Sequence, residues 1–349
     1  MPSQLKFKCI AALAAAAALL ALPAAAQATL AFTRNPLHPV VFAANDNGSN
    51  AHKLGSGRNP RVSPDGLSVA YLDESPGHTQ ELKLAPAAGG PVRTLMTGSQ
   101  DPYYLSFSPD SKTIAALRGP ELGKRKLVLI DVASGAQQVV DSGYFSGFSF
   151  SPDGTELVYS KAGSEKYPPS SDVYRFQIPI GESFRYVPPV RLTHDHRSLS
   201  PLWGPAGQIV FVKLLGAKQR TYGPKNELYL MNPSGGQVKR LTHTVVDPLV
   251  QGLTPTQWSA DGSRLLTEFG GQDTTYAVTV NPKTGAERTL TKEREVGFVG
   301  TALSADGSTV LGDTGGFEPG PEHKVVTIPY TGGKPKVLAK NASEPSWSR

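Results

Sequence analysis

Three histidines and one aspartate are the side chains of this 349-residue chain whose types and spacing could do chemistry. His194, Asp195 and His196 follow directly on the tripeptide Arg-Leu-Thr, and His243 follows a second copy of that tripeptide. Neutral imidazoles close to a carboxylate can bind a transition metal such as Zn²⁺ or Mn²⁺. His194, His196 and His243 are therefore candidate metal ligands. The alternative, which the sequence favours, is that they face solvent in polar loops and that the protein holds no cofactor.

Motifs for other kinds of catalysis do not occur in the sequence. There is no Gly-x-Ser-x-Gly segment for a nucleophilic serine, no phosphate-binding loop and no dinucleotide fingerprint. We therefore predict no catalytic residue.

Five further aspartates recur along the chain in similar pentapeptides. They are Asp65, Asp110, Asp153, Asp261 and Asp306. Each follows Ser-Pro or Ser-Ala, and all but Asp110 precede a glycine. Proline presets φ for a turn, aspartate bonds its own backbone, and glycine supplies a positive φ. These aspartates are thus predicted to shape turns between two strands rather than to act as acids or cation ligands.

The turns mark a repeat that predicts the fold. Successive copies are separated by 43 to 55 residues, and each interval holds four short apolar stretches that alternate with polar residues. A repeat of this length with four strands is typical of a propeller blade. Six whole copies and one copy divided between the two termini predict an all-β, seven-bladed propeller of four-stranded blades. Its ring would be closed by pairing the C-terminal strand, residues 344–348, with the N-terminal blade.

The N-terminus has the pattern of a secretory signal peptide. Lys6 and Lys8 precede an apolar run, and small residues suited to cleavage follow up to Ala28. We predict a removed signal peptide over residues 1–28 and a single propeller domain over residues 29–349, in a periplasmic or secreted protein without stable membrane insertion. The sole cysteine, Cys9, lies in the leader, so the mature chain would have no thiol chemistry.

The charge argues against one class of partner. Lys and Arg number 35 against 29 Asp and Glu, and no basic run is longer than Lys124-Arg125-Lys126. Such a dispersed excess does not predict nucleic-acid binding. We expect a monomer.

The repeat resembles a known family. The elements Ser-Pro-Asp-Gly, Leu-Tyr-Leu-Met, Gly-Gly and Arg-Leu-Thr are similar to the TolB-like (WD40-like, PD40-type) propeller repeat, over nearly all of the mature chain. The resemblance implies a stand-alone propeller without the N-terminal domain of TolB. It also implies two alternatives to a binding role. Oligogalacturonate lyases use a His-x-His pair in a manganese site, and peptidases of the prolyl-oligopeptidase type carry a similar propeller.

Loop insertions indicate where function lies. The longer loops, at residues 163–171, 181–189, 215–226 and 245–253, gather mostly on one face of two adjacent blades. This face, where the second-to-third loops and the blade exits lie, is the exit face. The predicted contact residues are His194, Asp195, His196, Arg197, Tyr222 and His243. The predicted function is non-catalytic binding of a protein or an envelope glycan. The alternatives are a metal-dependent polysaccharide lyase and an accessory propeller of a peptidase system.

Aromatic residues near the innermost strands have two interpretations. Trp203, Trp258 and Trp347 directly precede the turns and are expected to pack between blades. Tyr103, Tyr104, Tyr144 and Phe145 stand earlier in their strands. They could line a central binding mouth, although packing is the favoured interpretation.

Overall fold

A computed structural model describes most of the chain from residue 28 onward. The described residues are 28–35, 37–73, 80–98, 100–119, 123–164, 170–179, 187–216, 224–244, 250–271, 275–291, 297–315 and 323–348. Within these ranges the regular structure is entirely β-strand. They contain no helix that is long and apolar enough to cross a membrane. Residues 1–27 of the predicted leader, including Cys9, lie outside the described residues.

Three of the five sheets have four strands each. The first contains β1 (Thr29–Arg34), β2 (Val40–Asn45), β3 (His52–Ser56) and β27 (Ala342–Trp347). The second contains β4 (Arg58–Val62), β5 (Ser68–Asp73), β6 (Glu81–Pro86) and β7 (Arg93–Thr97). The third contains β23 (Val299–Leu303), β24 (Thr309–Thr314), β25 (Lys324–Pro329) and β26 (Lys336–Lys340).

The other two sheets are longer. One contains β8 (Gln100–Phe107), β9 (Thr113–Arg118), β10 (Arg125–Asp131), β11 (Gln137–Phe150), β12 (Glu156–Ala162), β13 (Ser171–Gln177) and β14 (Val190–Arg191). The other contains β15 (Ser198–Trp203), β16 (Ile209–Leu215), β17 (Lys225–Met231), β18 (Lys239–Arg240), β19 (Val250–Trp258), β20 (Leu265–Gly271), β21 (Thr275–Val280) and β22 (Glu287–Thr289).

Each long sheet repeats the same antiparallel succession of four strands. The first half of β11 pairs with β10 as an outer strand, and its second half pairs with β12 as an innermost strand. In the other sheet, a single parallel bridge between Asn226 and Gly252 joins the β15–β18 unit to the β19–β22 unit. The described strands therefore form repeated up-and-down units, as the spacing of the turns predicts.

The turn between the first two strands of a unit is built by its serine and aspartate. In the third copy, Ser151 Oγ donates to Asp153 Oδ1 at 2.6 Å and accepts from the Glu156 amide at 2.9 Å. Asp153 Oδ1 also accepts from the Thr155 amide at 3.1 Å. The turns at Asp65, Asp110, Asp261 and Asp306 repeat this pattern. The aspartates thus have the structural role predicted for them.

The two ends of the chain meet in one sheet. Strand β27 pairs antiparallel with β1, with Leu30 opposite Trp347 and Arg34 opposite Ala342. The Thr29 amide also donates to Ser348 Oγ at 2.8 Å. The C-terminal strand thereby supplies the innermost strand of the N-terminal unit.

Side chains of the innermost strands connect neighbouring units. Three such hydrogen bonds have the same form. The acceptor is a side-chain oxygen two residues before the first turn residue of one unit, and the donor is the backbone amide of the residue just before the turn of the next unit. The pairs are Ser346 Oγ with Val62 N (3.0 Å), Ser149 Oγ with Trp203 N (3.1 Å) and Gln257 Oε1 with Leu303 N (2.7 Å). The first pair joins the C-terminal strand to β4, so it has the same form as the pairs within the chain.

The apolar core lies between adjacent sheets and units. Trp203 is 8% exposed and packs with Val158 and Val173 of the preceding unit. Trp258 is 3% exposed in a cluster that includes Val210 of the preceding unit. These two tryptophans pack between units, as predicted, because a large ring next to the turn can fill the gap between two twisted sheets.

Candidate functional site

A buried carboxylate, Asp172, organises the segment that carries His194 and His196. Asp172 is the second residue of β13 and is 2% exposed. Its Oδ1 accepts from Thr193 Oγ1 at 3.0 Å and from the His196 amide at 3.1 Å. Its Oδ2 lies 2.5 Å from Arg191 Nη2 and 3.0 Å from His196 Nδ1. A charge removed from water to this extent needs such partners, and here both oxygens have two.

The Arg-Leu-Thr tripeptide forms the rest of this carboxylate clamp. Thr193 Oγ1 accepts from the Val173 amide at 2.9 Å, and Arg191 Nε donates to the Thr193 carbonyl at 3.0 Å. A parallel bridge joins Ser171 to Arg197. Together these bonds fold residues 191–197 back over the start of β13.

Asp195 points away from this clamp to the next unit. Its Oδ2 lies 2.7 Å from Lys213 Nζ, and its Oδ1 accepts from the Arg197 amide and from Ser198 Oγ. Partial burial acts to raise the pKa of Asp195, but the hydrogen bonds from Lys213, Arg197 and Ser198 outweigh it and leave the pKa lowered. Asp195 is therefore an ionised structural link between β15, which begins at Ser198, and β16.

A second clamp of the same form lies in the next unit. Glu227 of β17 is fully buried, and its Oε1 lies 3.0 Å from Arg240 Nη2 and forms an ion pair with Lys225. Its Oε2 accepts from Thr242 Oγ1 at 2.6 Å, and Thr242 Oγ1 accepts from the Leu228 amide. Arg240 Nε donates to the Thr242 carbonyl at 2.9 Å. The two Arg-Leu-Thr copies thus have the same structural task.

The predicted site residues take up different positions around these clamps. His194 and His243 are exposed and occupy equivalent places, each directly after the threonine of its clamp. His196 is exposed on one side but bonded to Asp172, and its backbone has a left-handed φ of 56°. Arg197 is exposed. Tyr222 lies outside the described residues.

Neighbouring residues of the His-Asp-His segment have different partners. His196 turns to Asp172 and Asp195 turns to Lys213, although the two residues are adjacent in sequence. Within the described residues, no group of three or more His, Cys, Asp or Glu side chains is arranged to hold a metal ion. The described residues therefore do not fit a metal centre built on the His-Asp-His segment, and we derive no step through a metal.

The buried carboxylates could have been found from the sequence. Asp172-Val173-Tyr174 and Glu227-Leu228-Tyr229 share the order acid, branched apolar residue, tyrosine, and each precedes an Arg-Leu-Thr. The tyrosines complete the likeness, since Lys161 Nζ lies 5.1 Å from the Tyr174 ring centroid and Lys213 Nζ lies 5.3 Å from that of Tyr229. Such cation–π contacts stabilise a lysine over an aromatic face.

The aromatic residues proposed for a central mouth are mainly packed. Phe145 is 4% exposed and contacts Tyr159 edge-on, with ring centroids 5.8 Å apart. Tyr104 and Tyr144 are half-buried. The side chain of Tyr103 lies outside the described residues.

Solved structures with similar folds decide the architecture. TolB from Acinetobacter baumannii aligns with a TM-score of 0.56 and 16% identity, over 92% of this chain and 83% of its own. The β-propeller domain of the Trilobed protease from Pyrococcus furiosus aligns with a TM-score of 0.62 and 13% identity, over 90% and 94%. The fold is a β-propeller. An oligogalacturonate lyase in complex with manganese also shares it, with a TM-score of 0.58 and 16% identity, over 89% of this chain and 84% of the lyase.

Comparison of the sequence finds less similarity than comparison of the fold. No protein-family model matches the chain. The uncharacterized peptidase YuxL of Bacillus subtilis is 28% identical over 145 residues, which are 41% of this chain. The match spans 19% of that relative's length. The propeller predicted from the repeat, and its likeness to TolB, are confirmed at the level of the fold, which is all that these structural likenesses establish.

Proposed function

We propose that this chain is a secreted or periplasmic seven-bladed propeller that binds a protein or an envelope glycan without catalysing a reaction. Two features support the blade count. The four-strand succession recurs through every described sheet, with β11 serving two units. The strand that the N-terminal unit needs comes from the C-terminus. The leader with Lys6 and Lys8 supports export.

The observation that carries the binding proposal is the use made of the carboxylates near the histidines. Asp172 and Glu227 hold the two Arg-Leu-Thr segments, and Asp195 holds Lys213. Acids engaged in this way are poor metal ligands or proton carriers, but they fix the loops rigidly. A rigid loop that presents exposed side chains is suited to recognition, because little conformational entropy is lost on binding. The exposed side chains here include His194, Arg197 and His243.

Capture of partners from envelope extract tests this function. Immobilised wild-type protein is compared with the double variant His194→Ala/His243→Ala, which removes two exposed imidazoles and leaves both clamps intact. His38→Ala is the matched control, since His38 is an exposed histidine in the β1–β2 loop. The proposal expects a partner that the control retains and the double variant loses. Equal capture by all three proteins would move the binding surface elsewhere. A separate assay measures the ultraviolet absorbance of unsaturated uronides formed from pectin oligomers. Their formation would show that the protein is a lyase and that the proposed non-catalytic function is wrong.

A further inference from the structure

We infer that the proposed binding surface takes an acidic, partly apolar polypeptide segment along the β15–β18 unit. This inference rests on the proposed function and adds the chemistry of the partner. Residues 197–249 contain seven Lys and Arg but only two Asp and Glu. The remaining residues from 28 onward contain 26 Lys and Arg and 27 Asp and Glu. Essentially all of the net positive charge of the mature chain therefore lies in this one unit and its loops.

Ion pairs within the protein neutralise only some of these cations. Glu227 is fully buried and already has Arg240 and Lys225. Lys213 is neutralised by Asp195 from the preceding unit. Arg197 and Lys239 are exposed, and among the contacts of the described residues neither has an acidic partner. Arg240 keeps 35% of its side chain exposed beside its carboxylate. A cationic surface that its own protein does not neutralise attracts anionic partners and speeds their encounter.

The surface beside these cations favours a polypeptide over a polyanionic glycan or a lipid. Val238, 50% exposed, directly precedes Lys239, and Val190, 47% exposed, precedes Arg191 in the neighbouring unit. Strand β18 has two residues, and in the described part of the chain it pairs on one side only, with β17. The other edge of β18 is where the backbone of an added strand could pair. A segment with acidic and apolar side chains matches the cations, the valines and the strand edge together, whereas a glycan or a headgroup matches the cations alone.

Fluorescence polarisation with defined probes tests the inference. The main probe is a labelled peptide of alternating Glu and Val, and a Lys-Val peptide of equal length controls for charge. The variant Arg197→Glu/Lys239→Glu reverses the unpaired cations. Its matched control is Lys334→Glu/Lys336→Glu, because Lys336 holds the equivalent exposed place on the outer strand β26. Melting temperatures of both variants confirm that they are folded.

The expected result is an increase in the Kd of the Glu-Val peptide by about tenfold or more in the first variant and little change in the control. Wild-type affinity should fall as NaCl rises, since the contact is exposed and screened. Equal effects of the two variants, or tighter binding of the Lys-Val peptide, would overturn the inference. Binding of polygalacturonate or of phosphatidylglycerol vesicles without peptide binding would show a glycan or lipid partner instead.

These outcomes are separate from the test of the proposed function. If capture of a partner depends on His194 and His243 but is unaffected by charge reversal, the proposed binding function stands and the inference of an acidic segment is wrong. Loss of all specific capture, with no peptide binding, would remove both.

Discussion

Asp172 and His196 are joined twice, once through the backbone and once through the ring. The His196 amide donates to Asp172 Oδ1 at 3.1 Å, while His196 Nδ1 lies 3.0 Å from Oδ2. The same carboxylate holds Arg191 and Thr193. One buried side chain thus determines the course of the loop that presents His194 and Arg197, and the predictions about that loop begin from it.

Replacing Asp172 by asparagine should destabilise the protein and loosen this loop. The amide keeps one acceptor but leaves the Arg191 guanidinium without its counter-charge, and breaking a largely buried pair costs about 3 kcal/mol. Glu227→Gln should have an effect of similar size, because Glu227 is fully buried between Arg240 and Lys225. Urea unfolding measures both free energies. The exposed Asp46→Asn is the control and should change the free energy by less than about 0.5 kcal/mol. A loss equally small for Asp172→Asn would show that the clamp does not hold the loop.

Two glycines with almost the same backbone separate turn strain from packing between units. Gly285 has φ +73°, and a Cβ there would lie 2.0 Å from the Leu241 carbonyl oxygen of the preceding unit. Gly135 has φ +75° in an equivalent turn, and a Cβ there would meet nothing within 4 Å. Gly135→Ala should therefore cost about 1–2 kcal/mol from the left-handed backbone alone. Gly285→Ala should cost at least about 2 kcal/mol more, because the strand or the turn must shift. Equal losses in thermal unfolding would mean that the two units can separate at this contact without cost.

Features that depend on residues close together in the sequence were easier to predict than features that depend on residues far apart. The turn aspartates were predictable because serine, aspartate and glycine act within five residues, as Ser151 and Asp153 show. The pairing of the two ends was predictable because the first unit lacks a strand that the last residues supply. Both features follow from local patterns and from counting copies.

The candidate site was harder to predict because neighbours in sequence need not share an environment. His194, Asp195 and His196 follow one another, but the left-handed φ of His196 turns that residue onto Asp172 while Asp195 reaches Lys213. The organising acid, Asp172, stands 24 residues before His196 in the sequence, on strand β13. The spacing of His194, Asp195 and His196 therefore suggested a group of metal ligands. The contacts that fix their positions are made with Asp172 of β13 and Lys213 of β16.

Acid should weaken the fold through the turn aspartates. Hydrogen bonds, first from the Ser259 and Ser304 hydroxyls, lower the pKa of Asp261 and of Asp306 to about 2. Because these folded-state values lie below that of an unfolded aspartate, about 3.9, the ionised turns stabilise the protein fully above that pH. The stabilisation is lost as pH falls from about 4 to about 2. Urea unfolding at several pH values should show this slope, and Ser259→Ala/Ser304→Ala should flatten it. An unchanged slope in the double variant would assign acid sensitivity to other carboxylates.

The hydrogen bond from Val62 N to Ser346 Oγ should contribute as much as its counterparts inside the chain, although it joins residues near opposite ends. Ser346→Ala would leave the Val62 amide without its acceptor in a buried position, at a cost of about 1–3 kcal/mol. Ser149→Ala removes the equivalent bond to the Trp203 amide and should cost a similar amount. Ser142→Ala, on an exposed side chain, is the control. If the C-terminal strand belongs to the cooperative core, both buried variants lower the melting temperature in a single transition. A separate early transition for Ser346→Ala alone would show that this strand detaches before the other units unfold.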